Sequence, residues 1–158
     1  MHRPMNRRDA LGASLLLFAS MFVPKARACE FYTSTLRITH PWTRATALDA
    51  TTAVLCMKID EVTTSDRLIG VETPVASGAE LVKDGASRTL NLAIAKGSET
   101  FLSEEGTHIR LLGLKLPMLV GRSYPLKLVF EKGGVVDTSL NVDYTGKTFS
   151  KPFSFSPS

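Results

Sequence analysis

Beyond residue 28, this 158-residue chain has few side chains that bind metals or act as nucleophiles: His40, His108, Met57, Met118, Cys29 and Cys56. Imidazole, thioether and thiol are ligands for soft and borderline metals, so their placement decides whether a site forms. His108 enters the alternating run Gly106-Thr107-His108-Ile109-Arg110-Leu111-Leu112-Gly113-Leu114, which Lys115-Leu116-Pro117 closes. Met118 follows in a loop and is the candidate for an added thioether near His108. His40 opens His40-Pro41-Trp42 and reads first as a residue packed or hydrogen-bonded at a strand end. Met57 alternates with apolar residues and reads as core. Cys56, on the other face of the same run, reads by default as a buried small hydrophobe, with a surface thiol or a disulfide to Cys29 as alternatives. His108 itself has a structural reading beside the ligand one, satisfying backbone groups or pairing with Glu104 or Glu105. The candidate metal ligands are therefore His108, then Met118, His40 and Cys56.

Other chemistry finds no support. The two cysteines have no neighbouring Cys or His in a zinc spacing. There is no nucleophile–base pair, phosphate loop or metal-hydrolase motif, so an enzyme is not expected. From Cys29 onward basic and acidic residues balance, because the excess basic charge lies in residues 1–28. Nucleic acid is accordingly not an expected partner.

The elements that would position these residues are short and alternate at period two. Runs at 36–39, 52–59, 67–72, 88–95, 108–114, 126–131 and 135–142 read as strands, with Gly133-Gly134 as a tight hairpin turn before the last. In the second run Ala53, Leu55, Met57 and Ile59 share one face, and in the last Val136, Thr138, Leu140 and Val142 do. About seven or eight such strands predict an all-β, immunoglobulin-like antiparallel Greek-key sandwich.

Four stretches in order carry a family resemblance: His40 to Thr46; Asp66 to Gly70 with Thr73-Pro74; Gly78-Ala79-Glu80-Leu81; and Gly106 to Pro117. Together they resemble the periplasmic copper chaperones of the PCu(A)C family, from about Thr35 to Val142. The resemblance implies a cupredoxin-like sandwich that binds copper, Cu(I) or Cu(II), with histidines and methionines. It further implies delivery to a copper-accepting respiratory oxidase subunit or its assembly factor. In the family the ligands run His, ten residues, Met, twenty-one residues, His, one residue, Met. Carried onto this chain, the first His falls on Val82 and the first Met, counting back from His108, on Ala86. His108 is present, and the last Met is Arg110. One ligand of four survives, and a guanidinium beside it disfavours a cation. Two readings follow: a copper-chaperone-like protein with a degenerate site, or a metal-free interaction module that binds no copper. In the second, Arg110, Lys115 and Arg122 near one end would serve recognition.

Residues 1–28 read as a twin-arginine-type export signal. Arg7-Arg8 precedes an apolar stretch too short to span a bilayer, and Ala26-Arg27-Ala28 is the exit. The expectation is a periplasmic domain over 29–149 with a tail over 150–158 and no membrane insertion after cleavage near Ala28. Lipid attachment at Cys29 is the alternative, although the residues ahead of it lack the apolar position expected there.

Overall fold

The computed structural model describes residues 29–143, so the export signal and the tail lie outside the described residues. Every element within them is a strand: β1 Glu30–Tyr32, β2 Arg37–Arg44, β3 Thr52–Asp60, β4 Asp66–Glu72, β5 Gly78–Lys83, β6 Ala86–Arg88, β7 Leu92–Ile94, β8 Thr100–Leu102, β9 His108–Leu112, β10 Ser123–Phe130 and β11 Gly134–Asp143. The strand order is β6-β5-β9-β3-β2-β11-β10-β4-β7, with β1 on β2 and β8 on β3. All pairings are antiparallel except β11 with β2. The sheet curls into the expected cupredoxin-like all-β fold.

β3 shows why the curl works. Its first half, Thr52 to Leu55, pairs with β9, and its second, Met57 to Ile59, pairs with β8. The predicted inward face, Ala53, Leu55, Met57 and Ile59, is buried, as are Ile38, Leu68, Leu126, Leu128, Phe130 and Leu140. Burying a side chain of this kind contributes about 1.5–3 kcal/mol.

The departures from the strand reading have physical causes. The run at 88–95 splits because its two parts pair at opposite ends of the strand order: β6 lies on β5, and β7 lies on β4. β5 escaped the reading because Leu81 and Val82 are both buried, which hides the period-two signal. The hairpin into β11 is a three-residue turn, since Phe130 pairs with Gly134. The first strand continues to Arg44 through a bulge between Thr39 and Trp42, where His40 takes φ 51°. At Asp84-Gly85 both residues have positive φ, 53° and 77°, as a type I′ turn requires.

At the start of β4 a buried carboxylate ties the β1–β2 connection to the β10–β11 turn. Asp66 Oδ1 accepts from the Arg67 and Lys132 amides, and Oδ2 accepts from Thr35 Oγ1 and the Gly133 amide, all within 2.7–2.9 Å. Burial raises its pKa, but these four donors outweigh it and hold the carboxyl below its ordinary value.

Candidate metal centre on strands β5, β6 and β9

β5 lies between β6 and β9, and the register sets which residues meet. Val82 pairs with His108 on one side and Ser87 on the other, while Glu80 pairs with Arg110. Ala86 pairs with Lys83 instead. The residue beside Val82 on β6 is thus Ser87, with Ala86 one position away at the turn. The cause is the tight Asp84-Gly85 turn, which fixes a two-residue hairpin between Lys83 and Ala86.

This face is held by a charged network rather than by metal ligands. Arg110 Nη1 donates to Glu80 Oε1 at 2.8 Å and to Ser87 Oγ at 3.1 Å, and Ser87 Oγ donates to Glu80 Oε1 at 3.1 Å. The Arg110 and Glu80 side chains are 36 % and 24 % exposed, enough shielding to strengthen the pair over a free surface one. A cation arriving here would have to displace a guanidinium already bound to the only carboxylate of the triad.

His108 opens β9 and is partly buried. Its Nδ1 lies 3.0 Å from the Gly106 carbonyl. A ring that donates from Nδ1 to that carbonyl keeps the Nε2 lone pair for a ligand. Of the two structural alternatives, satisfying backbone groups or pairing with Glu104 or Glu105, this contact is the first, and the Glu104 carboxylate is bonded to Arg44 while still feeling the His108 ring electrostatically. Arg44 forks onto that carboxylate, Nε to Oε2 at 2.8 Å and Nη2 to Oε1 at 2.6 Å. That bidentate pair outweighs burial and holds the Glu104 carboxyl below its ordinary range. It ties the end of β2 to the loop that carries His108.

The other candidates do not join His108 in a site. Met118 is fully buried in the main core, where its thioether packs among apolar side chains. Its backbone amide and carbonyl are held by Thr46. Met118 lies in the β9–β10 connection, as the sequence places it in a loop, but its side chain is turned into the core. His40 faces β11, its Nε2 3.2 Å from Asp143 Oδ2. Cys56 is buried and pairs across β2–β3 with Trp42, matching its default reading. Burial, aided by the Glu104 charge, pushes its thiol up to about 12, so it stays protonated at neutral pH. Cys29 and Cys56 are both free thiols, and the alternative disulfide is absent. Among the described residues no cluster of three or more His, Cys, Asp or Glu side chains is arranged to hold a metal.

Sequence reasoning missed Glu80 and Ser87. The signal was present: Glu80 alternates with Val82, and Asp84-Gly85 marks a turn that folds Ser87 back beside them. Of the three basic residues expected to serve recognition, Arg110 lies within β9, Lys115 in the loop after it and Arg122 immediately before β10.

A family model described as "Putative lipoprotein LpqE-like" matches residues 36–142. The copper-bound PCuAC domain from PmoF2 is 28 % identical with TM-score 0.67, covering 73 % of this chain and 97 % of that one. The apo PCuAC domain of PmoF2 is 26 % identical with TM-score 0.68, over 75 % and 98 %. A Cu(I)-loaded protein from Deinococcus radiodurans, at 18 % identity and TM-score 0.55 over 79 % and 82 %, shares the fold. No curated protein sequence matches. The chain thus belongs to the LpqE-like family, with the fold of the PCuAC copper-chaperone domains.

Proposed function

We propose that this chain is an exported, non-enzymatic protein of copper-chaperone descent whose cargo site is degenerate. The observation that carries the reading is the Arg110–Glu80–Ser87 network on the strand register that includes His108. Copper as cargo needs several soft or imidazole ligands converging, and this face offers one imidazole beside a permanent positive charge. Delivery to a copper-accepting oxidase subunit or assembly factor, as in the lineage, would then require the acceptor to supply the remaining ligands. The periplasm is the proposed compartment, with the signal removed near Ala28. The family's description as a lipoprotein favours lipid attachment at Cys29 over a free terminus.

The test is titration of the protein from Cys29 onward with Cu(I) and Cu(II), beside His108→Ala and Cys56→Ser. The expected result is weak binding that His108→Ala removes and Cys56→Ser leaves unchanged. Tight stoichiometric Cu(I) binding would overturn the degenerate-site reading.

The same network favours a second reading, a metal-free interaction module on this fold. Binding no greater than that of the His108→Ala variant decides for it.

A further inference from the structure

The end of the sandwich beyond Leu112 gathers several exposed large apolar side chains on neighbouring loops, whereas Tyr32, Ile69, Phe101 and Val135 are exposed singly on β1, β4, β8 and β11. Leu48, Leu116, Leu119 and Val120 are 81 %, 40 %, 42 % and 45 % exposed. They sit on two loops stapled together, with the Thr46 amide on the Met118 carbonyl at 3.0 Å and the Met118 amide on Thr46 Oγ1 at 2.9 Å. Leu114 and Lys115 amides donate to Thr51 and Val75 carbonyls, which holds the second loop against the body. These leucines are therefore displayed on a supported surface. Lys115 and Arg122 are exposed beside them. Among the described residues neither forms an ion pair.

Cys29 lies at the same end. It lines one shallow hollow with Gly121, Arg122, Ser123 and Asn141, directly after Leu119 and Val120. Asn141 Nδ2 is 3.5 Å from its sulfur. A thiol placed here brings whatever it carries against the apolar loops.

We propose that this end is a lipid-bilayer contact surface, with Leu48, Leu116, Leu119 and Val120 at the headgroup–acyl boundary and Lys115 and Arg122 toward lipid phosphates. The inference rests on the reading of Cys29 as the lipid-bearing residue. Diacylglyceryl transfer joins Cys29 Sγ, as a thioether, to the glyceryl carbon of a phosphatidylglycerol-class lipid. The bond from that carbon to the headgroup phosphate oxygen breaks, and the thiol proton leaves with the glycerol phosphate. Four partly exposed apolar side chains bind a membrane weakly alone. Tethering by the anchor raises their effective concentration at the bilayer enough for the contact to persist. The basic pair adds attraction to anionic headgroups. His108 and Arg110 lie back along β9 from this end, away from the Gly113–Val120 loop.

The test uses the full acylated chain in phosphatidylethanolamine–phosphatidylglycerol vesicles. An environment-sensitive fluorophore is placed at Val120→Cys or, as control, at Lys83→Cys. The acyl group occupies Cys29 and burial protects Cys56, so only the new thiol is labelled. Quenching by nitroxide lipids should be about threefold stronger at position 120 than at 83, and Leu48→Asp with Leu119→Asp should equalise the two. Equal quenching in the unsubstituted loops overturns the proposal. So does a fluorescence shift that follows protein concentration without lipid, which assigns the loops to a second copy. Loss of a lipid-free shift on removing residues 144–158 overturns it in favour of the chain's own C-terminal segment. Mass spectrometry of the membrane-extracted chain reports acylation separately. An unmodified Cys29 ends the lipoprotein reading, and the Cys29→Ser, Val120→Cys protein added to the same vesicles then decides the surface: a lipid-dependent shift keeps it, and no shift removes it.

Discussion

Asp66 and the Arg110–Glu80 pair both place charge inside a β-sheet protein, yet they are held in different ways. Asp66 is 4 % exposed and its oxygens are filled by three backbone amides and one hydroxyl. Backbone donors cannot be exchanged by substitution, so this carboxylate is bound to the fold itself. Arg110, Glu80 and Ser87 satisfy one another through side chains alone, at a face that remains partly open to solvent. Such a network is replaceable as a unit with little effect on the fold. The difference allows a β-sandwich of this kind to keep its shape while the side chains on the Arg110 face vary.

The comparison breaks most visibly at Asp66. Asp66→Ala leaves the Thr35, Arg67, Lys132 and Gly133 donors unmatched and should cost about 3–5 kcal/mol of stability, measured by urea unfolding. A loss below about 1 kcal/mol would show that water or neighbouring groups fill the gap, and the two regions would no longer differ in kind.

Rebuilding the other face is the next largest effect. Val82→His, Ser87→Met and Arg110→Met together should raise Cu(I) affinity about a hundredfold, or about 3 kcal/mol, in a competition titration. Gain without loss of folding would sharpen the contrast, whereas collapse of the fold would show that the Arg110 network is as structural as Asp66.

Acid offers a third measure. The Arg37 fork and Lys58 outweigh burial and hold the Asp60 carboxyl at about 2, below its ordinary value. A carboxyl with a lowered folded pKa contributes stability that is complete above its unfolded pKa near 4. That contribution is lost as pH falls from about 4 to about 2. The loss from this group should be about 1–2 kcal/mol, seen as a difference between the protein and Asp60→Asn in acid unfolding.

The smallest effect is expected at Lys127–Asp137, an exposed cross-strand pair at 2.6 Å. Asp137→Ala should change stability by less than about 0.5 kcal/mol, and unfolding in high salt should erase even that. A larger effect would mean that exposure is a poor guide to which charges are replaceable here.

Much of this was legible in the residues themselves. Alternation along Ala53, Leu55, Met57 and Ile59, and along Val136 to Val142, identified buried faces because a strand has only two sides. Four short stretches in order pointed to the family, and Val82 and Arg110 stand where the resemblance expects ligands, although valine does not coordinate and guanidinium does not deprotonate. What surrounds them was decided by register. Only the pairing of Val82 with both His108 and Ser87, set by a two-residue turn, put Ser87 rather than Ala86 beside Val82 and Glu80 against Arg110. Met118 likewise could not be placed by local pattern, because burial depends on what other strands bring over a residue. Period thus indicated which residues form strands, and the family resemblance which expected ligand types the sequence lacks. Long-range pairing alone determined which side chains meet, because contacts between distant segments leave no trace in local spacing.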